Sequence, residues 1–492
     1  MKNSFLFLVV IFLCYSCSSK KINEDIGTFQ SDCDGILISP IQDQKVCSGT
    51  RSYVFLSAVA NDLSKLEIKK KKGPKYVSIV KTKEGRAVII IDAPENFSEN
   101  DIVVVEVNDG TQFGCIEFGL NVYNNSNPRI YVDPNFRAES DGSKTNPYRS
   151  WKQLVSEKKI GHKDVVIFKN GAYGDVIFEG SNYNIFGMVG HTPKFSSIKV
   201  IDGHHIDISG LTISSLSTFR DKTYAVIIDS KCTHIGFHNN IVQSIENADE
   251  WDKMKWKSNA TKGIKVQGSH IVIEQNLFRN VFHGIKIEGD KNIINYNHVD
   301  RFSGDAIRNI GSYNQFNYNF LTNATIDDYY DKDGNHDDLF QSWTFDAPLK
   351  DIRLSHNIMI SCLDTKMPLR SKIVQGLVCF DGFEKDWVVD HNLVVTDHPH
   401  GIALFGADNC VISNNTVLRN PHRLFDFEAE PWIMINDHKD GRQSITTTVN
   451  NNITTHLNII SKDVNLSNNT ILNTQSINKM NNYYERTFRV QK

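Results

Sequence analysis

Lys265, Lys286 and Arg308 hold the same place in three similarly built stretches: Lys262-Gly263-Ile264-Lys265-Val266, His283-Gly284-Ile285-Lys286-Ile287 and Asp305-Ala306-Ile307-Arg308-Asn309. If these are strands stacked in register, parallel packing sets the three cations in a row, about 4.8 Å apart. Like charges in such a row repel, so it suits a polyanionic partner better than it suits folding, unless the long side chains splay into solvent. Three residues before each of them stand Lys262, His283 and Asp305. The stretches Asp337-Asp338-Leu339-Phe340-Gln341, Gln375-Gly376-Leu377-Val378-Cys379 and His400-Gly401-Ile402-Ala403-Leu404 continue the series, with His336 beside the aspartates. Titratable groups of both signs thus border a basic strip, the combination that acid–base chemistry on a charged ligand requires. The aspartates have a plainer role open to them as well, capping backbone amides at a corner.

The register rests on a repeated phrase. An asparagine followed by a hydrophobic residue or threonine closes each unit, at Asn240, Asn276, Asn297, Asn319, Asn357, Asn392, Asn415, Asn452 and Asn469. The unit is about 22 residues, with some enlarged, which means supersecondary elements that bury their apolar faces only by stacking. Within a unit the apolar residues alternate at period two, as in SHIVIEQN, and no helical period of comparable strength is present. The pattern predicts a right-handed parallel β-helix over 128–475, with Ile264, Ile285, Ile307, Leu339, Leu377 and Ile402 stacked inside. Asparagine suits the corners because it tolerates the left-handed conformation, and its amides can form an internal ladder.

Long insertions flank the strip, and such loops usually form a solenoid's binding face. They bring Trp251 and Trp256, Tyr329 and Tyr330, and Lys366, Arg370 and Lys372. The aromatic rings either stack on sugars or pin the loops.

The chain has 492 residues and a net charge of −3, which offers no electrostatic case for nucleic acid. Lys2, the apolar run Phe5–Leu13 and Ser16-Cys17-Ser18-Ser19 form a targeting segment too short to span a membrane. This opening resembles a bacterial lipoprotein signal (1–17), which implies a lipid on Cys17. The expected location is then the outer membrane, cell surface or periplasm of a Gram-negative bacterium. The seven later cysteines are scattered and odd in number, so they are not a disulfide framework; a pair among Cys33, Cys47 and Cys115 is open. Short strand-like runs over 25–124 suggest an immunoglobulin-like β-sandwich, with Lys69–Lys72 as a solvated turn. Residues 476–492 form a C-terminal tail.

IYVDPNF, DGSKTNPYRSWKQL and DVVIFKNGAYGDV, between Arg129 and Gly180, resemble the opening of extracellular bacterial parallel β-helix proteins, where a short helix, here about Ser150–Glu157, caps the first coil. Outward basic residues beside the parallel sheet resemble the sites of β-helix polysaccharide lyases such as pectate lyases, alginate lyases and chondroitinase B. That resemblance implies β-elimination on a uronic acid chain. One group neutralises the carboxylate, a base takes the C5 proton and an acid serves the departing O4. Arg308 and Lys286 would face the carboxylate, with His283, Lys265 or His336 as proton-transfer groups. Gln341, Asp305, His400 and Arg370, with the loop aromatics, would bind substrate. The leaving group is either the next sugar, in a chain-cleaving lyase, or hydroxyl, in a dehydratase acting at the non-reducing uronate. The calcium arrangement and the paired lysine–arginine phrase of the alginate and chondroitin enzymes are absent.

Two alternatives remain open. Asp305, Asp337 and Asp338 resemble the adjacent aspartates of polygalacturonase-type β-helices, which implies a glycoside hydrolase. A surface protein that binds glycan without turnover is the other. Asp331-Lys332-Asp333-Gly334-Asn335 looks like half of a calcium loop, although the closing position is Ser342. The expected partner is an acidic polysaccharide or oligosaccharide, met by a monomer.

Overall fold

Short apolar strands separated by tight corners wind into coils with three strands each, as in Lys262–Val266, Val272–Glu274 and Leu277–Val281. The computed structural model describes residues 36–472 apart from 60–64, 82–85, 158–159, 217–222, 327–336, 345–346, 372 and 422–429. The signal with Cys17, Cys33, Tyr329, Tyr330, His336, Lys372, the half calcium loop 331–335 and the 476–492 tail lie outside the described residues. From Arg129–Val132 to Thr470–Ile471 the coil pairings are all parallel, giving a continuous 22-stranded sheet on two faces and a 12-stranded sheet on the third. The chain is a parallel β-helix.

Inside, Ile264, Ile285, Ile307, Phe340, Leu377 and Ile402 stack on one another. Phe340 thus takes the place expected for Leu339. The chain slips by one residue here because Leu339 and Phe340 are both apolar. Leu339 falls instead in the column of small residues, Gly263, Gly284, Ala306, Gly376 and Gly401. A side chain added at Gly263 or Gly284 would run into Phe278 or Val299 of the third strand. Asp338 therefore stands level with Asp305, and Gln341 level with Arg308.

The asparagines form the ladder that their spacing suggests. Each amide donates to the next asparagine's oxygen, over 3.2, 3.1, 3.2, 3.0, 2.8, 3.0, 3.0 and 3.0 Å from Asn240 to Asn469. Each oxygen also accepts the backbone N–H of the coil before it, as Asn319 does from Asn297. The left-handed residue, however, is the one preceding the asparagine: Asn239, Gln275, Tyr296, Tyr318, His356, His391, Asn414, Asn451 and Asn468. The ladder asparagine has turned inward, where its amide replaces a missing strand neighbour. This corner keeps two residues in each of these coils, from 275–276 to 468–469.

The helix Trp151–Glu157 closes the first coil, burying Trp151 and Leu154. Trp151 meets Phe178 edge-on at 4.8 Å and donates to the Ile177 carbonyl. Ahead of the solenoid, a four-stranded and a three-stranded sheet enclose Val54, Ile89, Ile91, Val103, Val105 and Phe118. Lys69–Lys72 belongs to the strand Glu67–Lys72 and is not a turn. That strand is the sheet's edge, where lysines discourage pairing with other chains. The sandwich docks on third strands of the solenoid: Arg86 pairs with Asp300, and Ser57 Oγ lies 3.1 Å from His298 Nδ1. Burial and the Arg86 charge push the His298 imidazole down to about 3, so it sits there neutral.

Cys115 is disulfide-bonded, and the five other described cysteines, Cys47 included, are free and buried, which removes Cys47 from the expected pairing. Between Cys379 and Cys410 lies Glu384, whose carboxyl burial pushes up to about 8, with a partial offset from the Cys379 thiol. The unfolded chain ionises near the ordinary 4.5. Stability from this group is therefore full below about pH 4.5 and is lost as pH rises through 8, by about 5 kcal/mol over that window. Glu384→Gln should remove this group's share of the slope, so urea midpoints of the variant fall less steeply than those of the parent from about pH 5 to about pH 8. Parallel slopes would refute the assignment.

Candidate functional site

The third-to-first turns are short on two neighbouring coils, 282–284 and 303–306, and long on either side, at 244–261, 325–337 and 361–374. Backbone bonds from Gly263 to His283, Gly284 to Asp305 and Ala306 to Asp338 stack Lys262, His283, Asp305 and Asp338 in one corner column.

Within that column His283 and Asp305 each cap the following coil. The Asp305 N–H donates to His283 Nδ1 at 2.9 Å, which leaves the neutral ring's proton on Nε2. Gly304 is glycine for this reason, since a Cβ there would lie 2.6 Å from the imidazole. Asp305 Oδ1 accepts the Asp338 N–H at 3.1 Å, and Oδ2 accepts from Arg308 Nε. His283, Asp305, Asp337 and Asp338 are all buried. Asp305 thus serves as a corner cap and as the counter-ion that aims Arg308. Burial, together with the negative charge of Asp305, pushes the Asp338 carboxyl well above the usual carboxylate range.

The outer face of the first strands carries Lys265, Lys286, Arg308 and Gln341 in register. The three cations are compensated, which corrects the expectation of an unrelieved repulsive row. Glu288 bridges Lys265 at 3.1 Å and Lys286 at 2.7 Å, and Asp305 holds Arg308. Burial alone would raise the Glu288 carboxyl, but hydrogen bonds from Lys286 and Lys265 outweigh it and hold the group below its usual range. Three cations against two carboxylates leave a net positive strip. Trp343 lies beside it, with Lys286 Nζ 5.8 Å and Arg308 Cζ 5.5 Å from the ring centre.

Trp251 and Trp256 do not offer open faces. They meet edge-on at 5.1 Å and are buried with Ala248, Ala260 and Ile326, pinning the 244–261 loop. Arg370 lies against Cys362, its Nη1 4.0 Å from the sulfur. His400 packs against Phe380 at 4.8 Å, three coils farther along the solenoid than Arg308. Glu288, Trp343 and Tyr224 are residues that sequence reasoning missed. Glu288 and Trp343 stand two positions after Lys286 and Gln341, so strand alternation puts each on its neighbour's face. Tyr224 lies under Lys262 at 5.3 Å from its ring centre.

No family model matches the chain. A Bacillus subtilis (strain 168) protein, YwoF, described as uncharacterized, is 28% identical over 142 residues, 25% of this chain; the chain spans 30% of that relative's length. Solved structures similar in part include pectate lyase Pel9A, at 15% identity and TM-score 0.34, over 69% of this chain and 78% of that one. A rhamnogalacturonan lyase is similar at 10% identity and TM-score 0.36, over 70% and 87%. An alginate lyase from Paenibacillus sp. str. FPU-7 is similar at 12% identity and TM-score 0.32, over 65% and 95%.

Proposed function

We propose that this protein is a carbohydrate-active lyase that binds a uronate-containing polysaccharide or oligosaccharide on the Lys265–Lys286–Arg308 face and acts by β-elimination. The observation that carries the reading is the placing of Arg308 and Lys286 against the ring of Trp343 on the outer face of the first strands. A sugar ring stacked on the indole would set its carboxylate against the two cations. Asp305 takes the Arg308 Nε–H and so holds the guanidinium beside the indole, where it can meet a carboxylate. Neutralising that charge makes the C5 proton acidic. The proton passes to a base, the C5–H electrons form the C4–C5 double bond, and O4 departs with a proton. Among the described residues Lys265 is the proton-transfer group nearest this strip. His283, buried with Nδ1 occupied, acts by positioning Asp305. The lipid on Cys17, which would tether the enzyme to a membrane, belongs to the same reading.

A second reading rests on the Asp305–Asp338 pair. One member is held as a carboxylate by Arg308 and the other is raised toward its neutral acid form, the division of labour of a glycoside hydrolase.

Incubating the mature protein with uronate polymers and their oligosaccharides, with and without chelator, separates these readings. Elimination is expected to show as growing ultraviolet absorbance from a conjugated C4–C5 double bond, and product masses then distinguish chain cleavage from water loss. New reducing ends without absorbance would select the hydrolase, and binding without turnover would select a glycan-binding protein.

A further inference from the structure

The outward columns of the first strands change character along the solenoid. One runs Lys265, Lys286, Arg308, Gln341 and then Val378, Ala403, Met434. The other carries Glu288 and Trp343, then a bulge that sets Trp343 opposite Asp381, and beyond it Phe380 and Phe405. The second half forms one outer apolar cluster, in which Val378, Ala403 and Met434 are buried beneath the half-buried rings of Phe380, Phe405 and Trp432. The rings are oriented by mutual contact: Phe380 meets Phe405 edge-on at 5.0 Å, and His400 lies 4.8 Å from Phe380 and 5.5 Å from Trp432. No described ion pair lies within this cluster. A compensated cationic strip and an aromatic platform are therefore consecutive along the solenoid axis, on one face of the same sheet.

We infer that this face binds a single glycan of mixed chemistry, laid along the axis. Uronate rings lie on Lys265, Lys286, Arg308 and Trp343, and less polar rings, with their carboxylates esterified or their hydroxyls acylated or absent, lie on Phe380, Phe405 and Trp432. The inference rests on the proposed glycan-binding face and specifies its substrate class. A uniformly charged chain would lay carboxylates over apolar rings and lose their hydration without a partner. A chain whose charge is masked at those positions stacks its apolar ring faces instead. Coils rise about 4.8 Å each, so neighbouring rungs address neighbouring sugars.

Calorimetry with the mature protein tests this, using pectic and alginate oligosaccharides in matched pairs, unmodified or carrying methyl esters or acetyl groups on alternate residues. In at least one backbone, the modified member is expected to bind about tenfold tighter. Trp432→Leu and Phe380→Leu, which keep apolar volume but remove the ring, should abolish that preference and leave affinity for the unmodified member unchanged. Equal affinity within every pair, or a preference that survives both substitutions, overturns the inference while leaving the acidic-glycan reading standing. Failure of every oligosaccharide to bind overturns that reading, and the inference with it.

Discussion

Arg308→Lys is expected to lower kcat/KM for elimination by about 10²-fold while the fold survives, because lysine keeps a charge over Asp305 but loses the planar fork that grips a carboxylate. Arg308→Ala should behave differently. Asp305 is buried, and removing its counter-ion strands a carboxylate inside the corner, at a cost of about 3–5 kcal/mol. Loss of activity in the alanine variant would thus confound chemistry with folding. The double variant Arg308→Ala with Asp305→Asn separates them. The substituted amide would be neutral and would still present an oxygen to the Asp338 N–H, so urea stability should return while turnover does not. If Arg308→Lys retains full kcat/KM, or the double variant regains activity, Arg308 is not the carboxylate clamp.

The largest effect on stability is expected at the ladder. Asn319→Ala removes the acceptor for the Asn297 N–H and amide and the donor to the Ile294 carbonyl, all in the interior. Each orphaned group costs about 1–3 kcal/mol, so a loss of about 4 kcal/mol in urea denaturation is expected. Gln315→Ala, at an exposed position on the strand just before this corner, should stay within about 0.5 kcal/mol. If the two variants are equally mild, the ladder is not what secures the corner.

The sequence displayed the solenoid because its building rule repeats. Period-two alternation and nine asparagines over-determine a stacked coil, and the cations of three coils fell into register with no further help. The errors arose where the rule was locally degenerate. Leu339 and Phe340 both satisfy an inward position, so alternation alone does not say which one enters. Lys69–Lys72 was read as a turn because its charges hid an edge strand. The site was harder to read because its function depends on pairings across coils. Glu288 between two lysines and Asp305 beneath Arg308 turn a repulsive row into a compensated strip, and this shows only once the side chains have positions. Burial likewise moved Trp251 and Trp256 from substrate contact to loop support.

The two-residue corner also limits how such a protein can change. Any inserted residue there would break the asparagine column above and below it and would rotate a strand's apolar face outward. Among the described residues the third corner carries no asparagine column, and in this one chain its length already varies from the three residues of 282–284 to the stretch 244–261. Loops can be lengthened, shortened or exchanged at that edge without disturbing the register of any coil. What the molecule recognises can therefore drift while the code that folds it stays fixed.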